Sequence, residues 1–140
     1  AALKVLPLLD EKASYQASVK ALDDSALIVR TSAVMALKQI KGTQAKNRLW
    51  QELYSKENYM RKQSLWIRRH IVETLATMAE KGDESQFVKV LDDDDSSLFP
   101  AAIGALEKIT GQQLGDSGLH PVYKRHLWRK WYEEKSKTKS

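Results

Sequence analysis

Two stretches of the chain align without a gap at an offset of 69 residues. Ala21–Gly42 reads ALDDSALIVRTSAVMALKQIKG and Val90–Gly111 reads VLDDDDSSLFPAAIGALEKITG. Leu22/Leu91, Asp23/Asp92, Asp24/Asp93, Ala33/Ala102, Ala36/Ala105, Leu37/Leu106, Ile40/Ile109 and Gly42/Gly111 are identical pairs. They fall on a turn, on one face of a helix and on a helix stop. A third copy lies between them: Val29-Arg30 and Leu37 correspond to Ile67-Arg68 and Leu75. A partial fourth copy opens the chain, where Ala2-Leu3-Lys4-Val5-Leu6 matches Ala36-Leu37-Lys38-Gln39-Ile40. The equivalent leucines 3, 37, 75 and 106 are separated by 34, 38 and 31 residues. That period belongs to arrays of helical hairpins, in which a hairpin cannot bury its apolar faces alone and neighbours stack.

Local chemistry fits helices at these places. In Leu27–Ile40, Val29, Ala33, Ala36, Leu37 and Ile40 recur at three and four and form one stripe. Asp23, Asp24 and Ser25 precede it as turn and capping residues, and Gly42 is expected to stop it. In the last copy Ser96 and Ser97 offer caps, Pro100 sits in the first helical turn, and Gly111 ends the helix. The first helices of the hairpins are predicted at about Ser14–Leu22, Gln44–Tyr54 and Glu84–Leu91. The division expected is a partial repeat over 1–9, repeats over 10–42, 43–82 and 83–111, and a capping segment over 112–140, all as one domain. Ala1 then falls inside a repeat, without an initiator Met, as in a processed form or a fragment.

The pattern Leu-x-Asp-Asp, a short turn, then Val-Arg-x-x-Ala-x-x-Ala-Leu-x-x-Ile resembles the HEAT repeat. It is most similar to the short bacterial variety named after the phycobilisome lyases. The resemblance covers essentially Ala1–Gly111. It implies an all-α fold, a right-handed α-α superhelix of about three helical hairpins with a partial N-terminal helix. It also implies that the turn Asp and the Arg after Val tie one repeat's turn to the next. Asp24 and Arg30 match those positions and Arg68 matches the second, whereas Phe99 stands in place of the Arg in the last copy. The ladder of polar ties is therefore expected to end there. Ile109-Thr110-Gly111-Gln112-Gln113-Leu114-Gly115, followed by Trp128-x-x-Trp131, resembles the closing segment of many bacterial HEAT-like proteins. A Trp-bearing C-terminal helix over about Val122–Glu134 is expected to cap the array, with Lys135–Ser140 as a polar tail.

Composition excludes several functions. The 140 residues contain no cysteine, so there is no disulfide framework, thiol nucleophile or Cys-ligated metal. Compartment is not legible without cysteines, and the cytoplasm and an exported or periplasmic location both stay open. No segment approaches the roughly 18 apolar residues of a membrane helix. The three histidines, His70, His120 and His126, have no i, i+4 metal spacing. Asp92–Asp95 lacks the alternating ligands and closing Glu of a calcium loop. There is no Gly-rich phosphate loop and no nucleophile elbow. No catalytic residue, cofactor or metal is expected.

Aromatic and basic residues remain. Trp50, Tyr54, Tyr59 and Trp66 cluster about the second hairpin, whose connecting link, Ser55–Ser64, is longer than in the other copies. Trp66 is expected in the core; Trp50 and Tyr59 stay open between core and surface. Charge is segregated: Lys46–His70 has 7 basic and 2 acidic residues, Ile71–Gly118 has 3 and 10, and Leu119–Ser140 has 7 and 2. The overall +5 thus reflects patterned surfaces. The expected function is a non-catalytic module or scaffold that binds another protein, with Trp50, Tyr54, Tyr59, Arg61, Arg68 and Arg69 as candidate contacts. Nucleic-acid binding, including a DNA glycosylase-like activity, ranks second, because the acidic stretch would repel phosphate. A bilin lyase or chaperone role, taken from the namesake repeats, ranks third.

Overall fold

The computed structural model describes residues 11–138; the partial repeat expected over 1–9 lies outside them. The fold is mostly helical, with seven α-helices and one small hairpin of strands among the described residues. By internal contacts the chain divides into two compact units, Ala1–Met78 and Ala79–Ser140.

In the first unit, α1 (Glu11–Leu22) and α2 (Leu27–Ile40) form one helical hairpin; α3 (Thr43–Leu53) and α4 (Ile67–Thr77) form the next. α1 packs on α2 and α3 on α4, while α2 also packs on α4 and α1 on α3. Like helices of the two hairpins are thus neighbours. Leu22, Ala33, Val34, Leu37, Leu49, Leu53, Ile67, Ile71, Val72 and Leu75 are buried, and on α2, α3 and α4 they recur at three and four.

The all-α expectation needs one correction. Between α3 and α4 the chain makes a 3₁₀ turn, Lys56–Asn58, and two short antiparallel strands, β1 (Tyr59–Met60) and β2 (Gln63–Ser64). A ten-residue link has backbone groups to satisfy, and pairing Tyr59 with Ser64 and Met60 with Gln63 satisfies some of them. The two-residue loop this leaves, Arg61-Lys62, has φ of 51° and 68°. A type I′ hairpin loop requires that sign, and Asn-Gly supplies it with little strain. In an ordinary L-residue the left-handed conformation costs about 1–2 kcal/mol. Lys62→Gly is accordingly expected to raise stability by about 1 kcal/mol, read as a higher urea midpoint at unchanged slope. A lowered midpoint would contradict the positive φ.

Two turn assignments also change. Gly42 does not stop α2; Lys41 is the C-cap, and Gly42, with φ of 93°, is the N-cap of α3. The connection is so short that one flexible residue serves the start of the next helix. Asp24 shapes the α1–α2 turn, its carboxylate accepting the Ala26 N–H at 2.7 Å, but the N-cap itself is Ala26.

In the second unit, α5 (Glu84–Val90) and α6 (Phe99–Thr110) form a hairpin, and α7 (Pro121–Thr138) packs on both. The Asp-rich turn caps a 3₁₀ turn, Ser96–Leu98: Asp95 accepts the Ser97 N–H at 3.0 Å. Pro100 lies in the first turn of α6, and Gly111, at φ 70°, ends it. Gly115, in the loop into α7, has a φ of 80°, a conformation that favours glycine, and a Cβ there would also press on the tips of Leu119 (2.8 Å) and Leu127 (2.9 Å). α7 runs on through Thr138, beyond the expected end at Glu134. Lys135 continues it, placing its Nζ 4.9 Å from the Trp131 ring one turn earlier.

Candidate functional site

Polar side chains buried in the first unit organise its turns. The Arg30 guanidinium donates to the carbonyls of Asp24 (3.1 Å), Ser25 (2.9 Å) and Glu57 (2.8 Å), and to Asn58 Oδ1 (3.2 Å). Asn58 donates through Nδ2 to the Glu52 carbonyl (2.6 Å) and to Glu52 Oε2 (3.0 Å). Arg48 bridges Glu52 Oε1 and Asp23 Oδ1, both at 3.1 Å. The Arg30 and Asn58 donors thus meet carbonyl or carboxylate oxygens, as burial demands. The turn of the first hairpin is held to the link of the second through Arg30. Of the Asp-Asp pair, Asp23 makes the ion pair between hairpins, and Asp24 gives Arg30 its backbone carbonyl.

Arg68 does a different job one hairpin on. It is fully buried. Nε donates to the Leu53 carbonyl at 2.9 Å and an Nη to Ser64 Oγ at 2.9 Å. Its guanidinium carbon lies 4.5 Å from the Tyr59 ring centroid and 5.9 Å from that of Tyr54. It therefore fastens the end of α3, strand β2 and the β1 aromatic to α4. At the equivalent place in the second unit, Phe99 is buried, and the Arg125 guanidinium of α7 lies over its ring at 5.5 Å. No carbonyl is gathered there by that side chain.

The six candidate contacts consequently separate. Trp50 and Arg68 are buried. Tyr59 is half-buried against Arg68, and Tyr54 is partly exposed. Arg61 is exposed at the hairpin tip. Arg69 is half-exposed and pairs with Glu73 at 3.5 Å, one turn along α4. The core expectation for Trp66 is corrected: it is 64% exposed, its ring edge-on to His70 with centroids 3.9 Å apart. Helical spacing explains this. Trp66, Arg69, His70 and Glu73 share one face, while Ile67, Arg68, Ile71, Val72 and Leu75 make the buried one.

Sequence reading also missed other surface residues. Ile28 is 77% exposed and Met60 63%, with Leu27 and Met35 exposed as well. Ile28 precedes Val29-Arg30 as Trp66 precedes Ile67-Arg68, so the same repeat position is a large exposed apolar residue in both hairpins. That signal was present in the 38-residue offset. Lys56, Arg61 and Lys62 are exposed beside them in the chain.

In the second unit, an open groove of about 620 Å³ is bordered by Lys81, Glu84, Ile109, Gln112, Trp131 and Glu134. Its charges are mixed. Among the described residues no group of three or more His, Cys, Asp or Glu side chains is placed to hold a metal ion. None of the helices described is long and apolar enough to cross a membrane. No known protein family matches the chain, and neither does any curated protein or any solved structure.

Proposed function

We propose that the chain is a non-catalytic module of HEAT-like repeats that binds another protein through its first unit. In this reading the hairpins are successive turns of a right-handed solenoid, and α7 closes it. The 31- to 38-residue recurrence, the paired packing of like helices in the first unit and the matching arginines Arg30 and Arg68 support the repeat assignment.

One observation carries the binding role. Of eight large apolar side chains that are exposed among the described residues, six lie in the first unit: Leu27, Ile28, Met35, Tyr54, Met60 and Trp66. Each square ångström of apolar surface left in water forgoes about 25 cal/mol. A concentration of such surface marks an interaction site more often than scattered single residues do.

A photocrosslinking amino acid placed at position 28 or 60 tests the assignment, with Ser117 in the second unit as the control position. Discrete adducts with a partner protein are expected from positions 28 and 60 only. Adducts from all three positions alike, or from none, would overturn the assignment.

A further inference from the structure

We propose that the surface formed by Ile28, Met60 and Trp66 takes an acidic amphipathic helix of the partner. The inference rests on the protein-binding reading and adds the chemistry of what binds. Its geometry follows from Asn58. Arg30, in the first turn of α2, donates to the Asn58 side chain, and the Asn58 carbonyl accepts the Leu65 N–H at 2.9 Å, immediately before Trp66. The starts of α2 and α4 are thereby drawn to one edge, with the β hairpin springing from the same place. Side-by-side helices run with axes about 8–10 Å apart. Apolar side chains at i and i+7 of a helix are separated by about 10.5 Å along its axis. One apolar stripe of a partner helix laid across α2 and α4 therefore spans the distance from Ile28 to Trp66, and Met60 offers a third anchor.

The charge of this edge is positive. Ser55–His70 carries Lys56, Arg61, Lys62, Arg68 and Arg69 against Glu57 alone. Arg68 is buried and Arg69 shares its charge with Glu73, which leaves Lys56, Arg61 and Lys62 as the exposed cations of the link. Neither α2 nor α4 has an acidic residue in its first turn, so both helix dipoles point partial positive charge at this edge. Asp24 of the α1–α2 turn, whose carboxylate accepts the Ala26 N–H, offsets part of this charge at the start of α2, and the link's cations remain in excess. Arg61 and Lys62 hold left-handed backbone that Asn-Gly would adopt with less strain, and their side chains are exposed. What they add is charge at the tip.

The occupant is a helix because the strands are two residues each, too short to template an added strand. It is protein because the surface is mainly aliphatic and thioether, from Leu27, Ile28, Met35 and Met60, with Trp66 as a single exposed ring, whereas a single strand needs several rings on which successive bases stack.

Fluorescence anisotropy with labelled peptides of about 18 residues tests the inference. One peptide carries a leucine stripe at i, i+3, i+4 and i+7 flanked by Glu; a second has Lys for every Glu; a third scrambles the stripe at constant composition. Labelled oligo-uridine is the fourth probe. The Glu-flanked helix is expected to bind best, and more weakly as salt rises. Trp66→Ser, Met60→Ser and the double change Arg61→Glu with Lys62→Glu should each weaken it about tenfold, with far-UV circular dichroism unchanged. Equal or tighter binding of the Lys peptide, the scrambled peptide or oligo-uridine overturns the inference, as does no binding at all. Failure here with crosslinks retained at positions 28 and 60 sinks only the acidic helix. Loss of those crosslinks sinks the docking surface itself.

Discussion

Arg68→Ala is expected to destabilise the first unit by about 3–5 kcal/mol, a large part of the stability of an ordinary domain. The substitution leaves the buried Leu53 carbonyl without its 2.9 Å donor, which by itself costs about 1–3 kcal/mol. It also removes a desolvated guanidinium from the face of Tyr59, worth about 2 kcal/mol in such settings, and opens a cavity where no side-chain atom is exposed. Arg68→Lys should recover only part of the loss. A lysine has no planar fork to reach Leu53 and Ser64 together while stacking on a ring. Urea unfolding followed by far-UV circular dichroism measures both. A loss below about 1 kcal/mol for alanine would mean that Arg68 does not fasten α3 and β2 to α4. Because the link carrying Met60 and the cations hangs from these contacts, the alanine variant should also lose peptide binding. Its loss of stability distinguishes it from the surface variants, which weaken binding but keep the fold.

The second large effect lies in α7. Trp128→Ala is expected to cost the second unit about 3–5 kcal/mol, the usual consequence of deleting a fully buried large aromatic. Trp128 is packed edge-to-face on Trp131, with ring centroids 5.3 Å apart, so the change also removes an aromatic pair. Trp128→Phe should cost far less, about 1 kcal/mol. Its indole N–H is buried and finds no acceptor among the described residues, so phenylalanine discards an unsatisfied donor along with the lost ring volume. Native-state hydrogen exchange of α5, α6 and α7 separates the two outcomes. Protection should collapse for alanine and persist for phenylalanine. Equal loss in both variants would mean that the indole nitrogen has a partner, so that the ring is held by more than packing.

The contrast between Arg68 and Phe99 bears on how such a chain is read. Both occupy the same repeat position, and the expectation that the polar ties stop at Phe99 follows from residue type alone. The structure shows what replaces them: an apolar ring under the Arg125 guanidinium, delivered by a helix far along the sequence. For Arg30 the tie is made mostly to carbonyls, and its reach to Glu57 and Asn58 depends on a link with no counterpart in the other hairpins.

Much of the helix framework was legible. Apolar residues at three and four placed α2; Pro100 and Gly111 bracketed α6; α4 was located only by the match of Ile67-Arg68 and Leu75 to Val29-Arg30 and Leu37. The strands of the second link were not legible, since two-residue strands have no period and Arg-Lys is not a residue pair that announces a type I′ loop. Gly42 was assigned to the wrong helix because a glycine between two abutting helices serves either end. Trp66 was assigned to the core as a packing partner of Trp50, although its spacing from Arg69, His70 and Glu73 already put it on the polar face.

The sequence by itself determined where helices start, which faces are apolar and where charge gathers, because these depend on neighbours within a turn or two. Tertiary structure alone decided which arginines are buried. A guanidinium can leave water only where carbonyls and rings from other segments converge on it, as Leu53, Ser64 and Tyr59 converge on Arg68. Arg61, with the same chemistry and no such convergence, remains at the surface.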